Sequence, residues 1–208
     1  MVQVAETPQW IAAAPLSQLA ERGRTVVKLN GRQIALFYDE GRIFACNNRC
    51  PHEGYPLVEG TLDRCALTCN WHNWKFDLAS GDSLVGGEPL RTYPTRVDGE
   101  DVLVDLTDPP AEARIAAALE SLHGAFRRLE SDRMAREVAR LQAAGGDPLT
   151  AIAAAIDWTH DRLEYGTTHA YAAAPDWLAL RARWAEDEAE RLMPVIEILR
   201  HANWDSLR

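Results

Sequence analysis

The segment Arg49–Asp77, RCPHEGYPLVEGTLDRCALTCNWHNWKFD, holds three of the chain's four cysteines and two of its six histidines, and Cys46 lies just upstream. Thiol and imidazole donors crowded this closely point to a shared metal rather than to packing alone. Two pairings compete. An all-cysteine set would join Cys46-x3-Cys50 to Cys65-x3-Cys69, a four-thiolate zinc or iron site. A mixed set would join Cys50-Pro51-His52 to Cys69-Asn70-Trp71-His72, with sixteen residues between the pairs. The first is allowed by zinc-site spacing but leaves both histidines unexplained. Local geometry favours the second. Cys50 and His52 end the apparent strand RIFACNN, where Pro51 turns the chain away, and Cys69 and His72 follow the apparent strand RCALTC. Cys46 and Cys65 then lie back on strands, as buried thiols commonly do.

The rest of the chain has two grammars. From about Gln9 to Leu106, β-rich runs are punctuated by Asn30-Gly31, Asp39-Glu40-Gly41 and Asp98-Gly99, the chemistry of tight hairpins. Short strands at this spacing predict an antiparallel sandwich or small barrel. At Asp108-Pro109-Pro110 the pattern changes to Ala, Leu, Arg and Glu. Asp108 is placed to cap a helix over 110–128. Further helices are expected over 131–144, from Asp147-Pro148 to about Tyr165, and from near Pro175 onward, kinked or divided by Pro194. The expected organisation is therefore β and α in separate domains, 1–108 and 109–208, the second all-α and of unknown function.

Composition narrows the partners. With 22 basic against 31 acidic residues the net charge is −9, which argues against nucleic acid or an anionic membrane surface. No stretch approaches the roughly 20 apolar residues of a membrane span, and the N-terminus has no signal-like pattern. A cytoplasmic location is expected, where four cysteines read more readily as metal ligands than as disulfides.

The mixed pattern, C-x-H and then C-x2-H, resembles the ligand pattern of Rieske [2Fe–2S] proteins, in which two thiolates hold one iron and two imidazoles the other. The resemblance covers about residues 8–107. CPHEGYPL and CNWHNWKFDLASGD are similar to the two cluster loops of Rieske ferredoxins and of the Rieske domains of aromatic-ring oxygenases. GGEPLRTYPTRVDGEDVLV resembles the third loop and closing hairpin. One departure is Asn73, which stands where the family usually has glycine. The resemblance implies a Rieske-type β-sandwich, a [2Fe–2S] cofactor, and Cys50, His52, Cys69 and His72 as its ligands.

It also implies a subtype. High-potential respiratory members carry an extra disulfide-linked cysteine in each loop and hydroxyl donors to the sulfurs. Here Tyr55 and Trp71 occupy the disulfide positions, and Trp74 and Phe76 the hydroxyl positions. A potential near the bottom of the Rieske window, about −150 to +300 mV, is expected. By resemblance His52 and His72 sit at an exposed tip with an outward ring nitrogen, surrounded by Pro51, Trp71 and the 89–94 loop as a docking patch. Trp74 and Phe76 read as packing, and Trp71 equally as packing or docking.

A Rieske oxygenase would need a second iron held by two histidines and a carboxylate. Asp157-x2-His160 is a fragment of that pattern, but the positions four and five residues on are Glu164 and Tyr165. The helical half is also too short for that family's β-rich catalytic domain. Whether Asp157, His160, Glu164 or His169 serves another metal is left open, with an ordinary polar helix face as the simpler account. His123 and His201 read as surface or packing residues. Trp177, Leu180 and Trp184 fall at helical spacing and read first as core, although aromatic anchors also serve interfaces. The functional expectation is an electron carrier between a reductase and a terminal redox enzyme such as an oxygenase. The helical half would set partner choice or homo-oligomerisation. The alternative is an enzyme or enzyme subunit whose helical half holds an active site fed by the cluster.

Overall fold

The computed structural model describes residues 8–164, 166, 168–184 and 186–206. The chain divides into two compact units, Met1–Asp108 and Pro109–Arg208.

The first unit is built from antiparallel strands. β1 (Trp10–Pro15) is followed by a short helix, α1 (Leu16–Arg22), and then by β2 (Arg24–Leu29), β3 (Arg32–Asp39) and β4 (Arg42–Asn47). Next come β5 (Thr61–Asp63), β6 (Ala66–Thr68), β7 (Lys75–Asp77) and β8 (Ser83–Val85). β9 (Thr92–Tyr93), β10 (Thr95–Asp98) and β11 (Asp101–Asp105) complete it. They form three sheets, ordered β1-β11-β10, β2-β3-β4-β9 and β5-β6-β7-β8. The hairpins arise from local turn chemistry. Asn30 and Gly31 have φ of 46° and 80°, and Glu40 and Gly41 have 48° and 83°, the paired positive values of a two-residue turn whose twist matches the strands.

β3 explains why the unit has layers. Its run Ile34-Ala35-Leu36-Phe37 is buried throughout, not alternately, because the sheet is covered on both faces. Ile34 and Leu36 pack with Ala45, Val102 and Val104 on one side. Ala35 and Phe37 pack with Leu67, Phe76, Leu90, Cys50 and Cys69 on the other. The β5–β8 sheet and its loops thus rest on a hydrophobic floor supplied by the central sheet. Arg24 fastens the edge by donating to the carbonyls of Val58 (3.0 Å) and Gly60 (2.8 Å).

The second unit is helical: α2 (Ala111–Arg128), α3 (Ser131–Ala143), α4 (Leu149–Thr159), α5 (His169–Arg183) and α6 (Met193–Trp204). α6 runs through its core, where Val195, Leu199 and Ala202 meet Leu122 and Phe126 of α2, Val138 of α3 and Ala155 of α4. No helix among the described residues is long and apolar enough to cross a membrane.

Several sequence expectations are corrected here. Cys65 sits in the β5–β6 turn, not on a strand. Asp108 does not cap α2, whose N-cap is Pro110. Its carboxylate instead takes two hydrogen bonds from Arg32, at 3.0 and 2.6 Å. α4 stops at Thr159, because the chain then leaves the helix to pair Leu163 with Ser206. The expected end at Tyr165 lies outside the described residues. α5 begins at His169 rather than near Pro175, since Thr168 caps it by accepting from the Ala170 N–H. Pro175 therefore lies inside the helix on an exposed position. Trp177, Leu180 and Trp184 are half-buried, and Ala170 is the residue that α5 buries fully.

His123 packs flat on Trp158, with ring centroids 4.5 Å apart. Burial first, and then Arg127 and Arg162, hold it below the ordinary imidazole range. A histidine that protonates less readily when folded contributes stability present above its unfolded pKa and lost as pH falls through the folded value. Between about pH 7.5 and about pH 5 the urea midpoint of the wild type should therefore fall further than that of His123→Phe, which keeps a ring over Trp158. Equal falls would contradict this.

Candidate metal centre

Two turns of the same design present the cysteines and histidines. In the first, the Cys50 N–H donates to the Tyr55 carbonyl (2.9 Å) and the Gly54 N–H to the Cys50 carbonyl (2.8 Å). In the second, the Cys69 N–H donates to the Trp74 carbonyl (2.8 Å) and the Asn73 N–H to the Cys69 carbonyl (3.0 Å). Each turn closes through a residue of positive φ, Gly54 at 77° and Asn73 at 58°. This accounts for the departure at Asn73. Where a glycine would relieve the strain, asparagine is the side chain that best tolerates the left-handed region. Asn48 anchors the first loop from below, accepting from the Val58 N–H at its side chain and from the Leu57 N–H at its carbonyl.

The turns sort the four side chains by depth. Cys50 and Cys69 are buried, at 4% and 2% exposure, in the core that holds Phe76 and Leu90. His52 and His72 project outward, and their Nδ1 atoms lie 3.1 Å apart. Two imidazole nitrogens at metal bonds of about 2.0–2.1 Å would sit about 3.3 Å apart on one tetrahedral ion, so the pair fits a shared metal. The Cys50 thiol is pushed up to about 11, chiefly by burial and further by the adjacent Cys69 thiol. The backbone N–H groups of His52 and Glu53 act in the opposite direction. Two buried sulfurs side by side need a cation to become thiolates together.

The donor grouping distinguishes among metals. Among the described residues, one set of three His, Cys, Asp or Glu donors lies mutually within 4.8 Å, and it is His52, Glu53 and His72. No sulfur joins the imidazoles at that distance, so a single tetrahedral Cys2His2 ion, whose donors would all be about 3.3–3.8 Å apart, does not fit. A binuclear group with one pair on each metal does. The four cysteines do not converge either. Burial pushes the Cys46 thiol up to about 12, and Cys65 lies in its turn. Glu53, whose carboxylate is 3.9 Å from His52 Nε2 and from His72 Nδ1, was not foreseen from sequence.

Aromatic rings hold the imidazoles. Trp74 stacks on His52 (4.5 Å, 10°) and Trp71 on His72 (4.8 Å, 17°). The rings of Tyr55 and Trp71 meet at 5.7 Å. Trp71 is 53% exposed, so its face beyond His72 is open to solvent, whereas Phe76 is core. The third loop approaches through Gly86, where an added Cβ would lie 2.4 Å from Trp74 Cδ2. Within the 89–94 loop, Leu90 and Tyr93 are buried and unavailable to a docking patch. Asp157, His160, Glu164 and His169 are not gathered into one site. The His160 ring contacts the Asp157 carbonyl (3.1 Å), and Glu164 donates its N–H to the Asp205 carbonyl (3.0 Å).

The Asn73 turn is directly testable. Asn73→Gly should leave stability unchanged or slightly raised, while Asn73→Val, a β-branched residue at positive φ, should cost about 1–2 kcal/mol in denaturant unfolding. A valine variant as stable as the wild type would contradict the role given to this position.

Comparison with known proteins adds the family. A family model for the Rieske [2Fe-2S] domain matches residues 9–94. The ferredoxin component of the naphthalene 1,2-dioxygenase system of Pseudomonas aeruginosa is 31% identical over 103 residues, 49% of this chain and 99% of that one. The biphenyl dioxygenase ferredoxin subunit of Pseudomonas sp. strain KKS102 is 37% identical over 84 residues, 39% of this chain and 77% of that one. Among solved structures, the ferredoxin of carbazole 1,9a-dioxygenase from Nocardioides aromaticivorans IC177 matches with a TM-score of 0.44 and 27% identity, covering 49% of this chain and 100% of that one. With nearly the whole of a relative matched at this identity, and with sulfur and imidazole pairs set apart as a binuclear centre requires, the chain belongs to the Rieske [2Fe–2S] family and its cofactor is a [2Fe–2S] cluster.

Proposed function

We propose that the chain is an electron-transfer protein, passing single electrons from a reductase to a terminal redox enzyme such as an oxygenase. The observation that carries this reading is the pair of imidazoles meeting at 3.1 Å on an exposed tip above two buried thiols. The relatives named above are ferredoxin components of dioxygenase systems, which supports the same direction. In this reading residues 1–108 are the Rieske domain, 109–208 an all-α domain of unassigned function, and the location is cytoplasmic.

Cys50 and Cys69 would hold one iron and His52 and His72 the other. When bound, the cluster supplies a one-electron couple raised by its neutral imidazole ligands. The chain's own residues do the rest. The floor formed by Phe76, Leu67 and Leu90 keeps water from the sulfurs. Trp71 and Trp74 fix the imidazole planes, and Trp71 offers an apolar surface beside the exposed edge on which a partner can settle. Neither Trp74 nor Phe76 carries a hydroxyl, so the reduced state lacks that stabilisation and the potential stays low.

A second reading has a specific observation in its favour. The helical unit contains a cleft of about 720 Å³ lined by Leu163, Thr168, His169, Tyr171 and Asp205, room enough for a small molecule. An enzyme subunit served by the cluster would use such a cleft.

Potentiometric titration tests the carrier. A midpoint near the lower end of the window of about −150 to +300 mV is expected, and one above about +100 mV would overturn the low-potential assignment. His72→Cys should lower the midpoint toward all-thiolate values near about −400 mV or abolish iron binding; an unchanged midpoint would remove His72 from the ligand set.

A further inference from the structure

The helical unit contains a second pair of convergent histidines. His169 opens α5 and His201 lies in the last turn of α6, thirty-two residues apart in sequence. His169 Nε2 and His201 Nδ1 face each other at 3.3 Å. Their ring centroids are 5.2 Å apart at 75°. The candidate iron-binding pair in the first unit, His52 and His72, has nearly the same arrangement, with nitrogens at 3.1 Å, centroids at 4.8 Å and an angle of 72°.

The outer nitrogen of His169 is held by a carboxylate, and that of His201 has one nearby. His169 Nδ1 lies 2.8 Å from Asp205 Oδ2, and His201 Nε2 lies 3.9 Å from Glu197 Oε2. Asp205 is fixed in turn by the Thr168 hydroxyl, which donates to the same carboxylate oxygen. The Asp205 carboxylate on the far nitrogen of His169 sets its tautomer and makes the near nitrogen a better donor, the arrangement that supports metal-ligating histidines, whereas Glu197 is engaged by Arg200 at 2.8 Å. If no ion lay between them, one imidazole would simply donate to the other. Asp205 behind His169 leaves the lone pair of His169 Nε2 aimed at His201, where an ion can take it.

We propose that His169 and His201 form a second metal site, a two-imidazole centre for a first-row divalent cation of the zinc and nickel class, with His169 oriented by Asp205. Imidazole donors suit these ions, and a separation of about 3.3 Å matches two corners of their coordination shell. Local charge helps. Asp205 is acidic and the C-terminal end of α6 is the negative pole of its dipole, while the N-terminus of α5 acts against it and Arg200 offsets Glu197. No third His, Cys, Asp or Glu donor lies within 4.8 Å of both nitrogens among the described residues. The remaining positions would therefore be filled by solvent or by a molecule in the adjoining cleft, which His169 and Asp205 also line. An ion with exchangeable positions at a cleft can polarise a bound oxygen or nitrogen ligand.

The test uses the iron-loaded full chain. Zn²⁺ titration by calorimetry, with elemental analysis after desalting, should show one zinc per chain beyond the iron. His169→Ala and His201→Ala, both at exposed side chains, should each weaken binding by about tenfold or more. Asp205→Asn should weaken it about 10–100-fold, and His160→Ala, outside the pair, should leave it unchanged. A readout that needs no variant is protection of His169 and His201 from ethoxycarbonylation by diethylpyrocarbonate when Zn²⁺ is added, located by mass spectrometry. Absence of zinc binding, binding that survives both histidine substitutions, or absence of protection would each overturn the site.

Discussion

Each of two loops carries a buried thiol and an outward imidazole because both turn in the same way. The paired hydrogen bonds about Cys50 and Cys69, each closed at a residue of positive φ, place a cysteine inward and a histidine outward from consecutive turns. The central sheet, buried on both faces, supplies the rigid floor, and β3 contributes its alternate side chains to the two layers of core. Trp71 and Trp74 then lock the imidazole planes from outside.

The same arrangement separates the functional questions. In the proposed reading, the burial of Cys50 and Cys69 bears on how well the reduced centre is stabilised, whereas the exposure of His52 and His72 bears on how a partner would reach it. These are different residues on the same two loops. Trp71 bears on both, since it stacks on His72 and is 53% exposed, whereas Phe76 lies in the core beside Cys50 and Cys69.

What could be read from the chain alone followed the range of the interaction. The Asn30-Gly31 and Glu40-Gly41 hairpins are written in neighbouring residues, since two positive φ values need particular side chains. The position of Cys65 in a turn was not legible, because ALT reads as strand and nothing nearby marks Arg64 as the left-handed residue it is, at φ 58°. Asp108 looked like a helix cap until Arg32, seventy-six residues away, took its carboxylate. Pro175 looked like a helix start, yet the capping hydroxyl of Thr168 begins α5 earlier. His201 had no local context, and only folding brought it to His169. Trp177 and Trp184 had helical spacing, yet they are only half-buried, and Ala170 is the residue α5 buries fully.

In the proposed reading, imidazole nitrogens from His52 and His72 bind one metal of the centre while Cys50 and Cys69 bind the other. The most direct measurement is electron–nuclear double resonance on the reduced protein labelled with ¹⁵N-histidine. The account predicts strong couplings from two directly bound nitrogens, one lost in each single variant at His52 and His72. A centre without strong nitrogen coupling would mean ligation by thiolates alone, with Cys46 and Cys65 recruited, and would contradict the account.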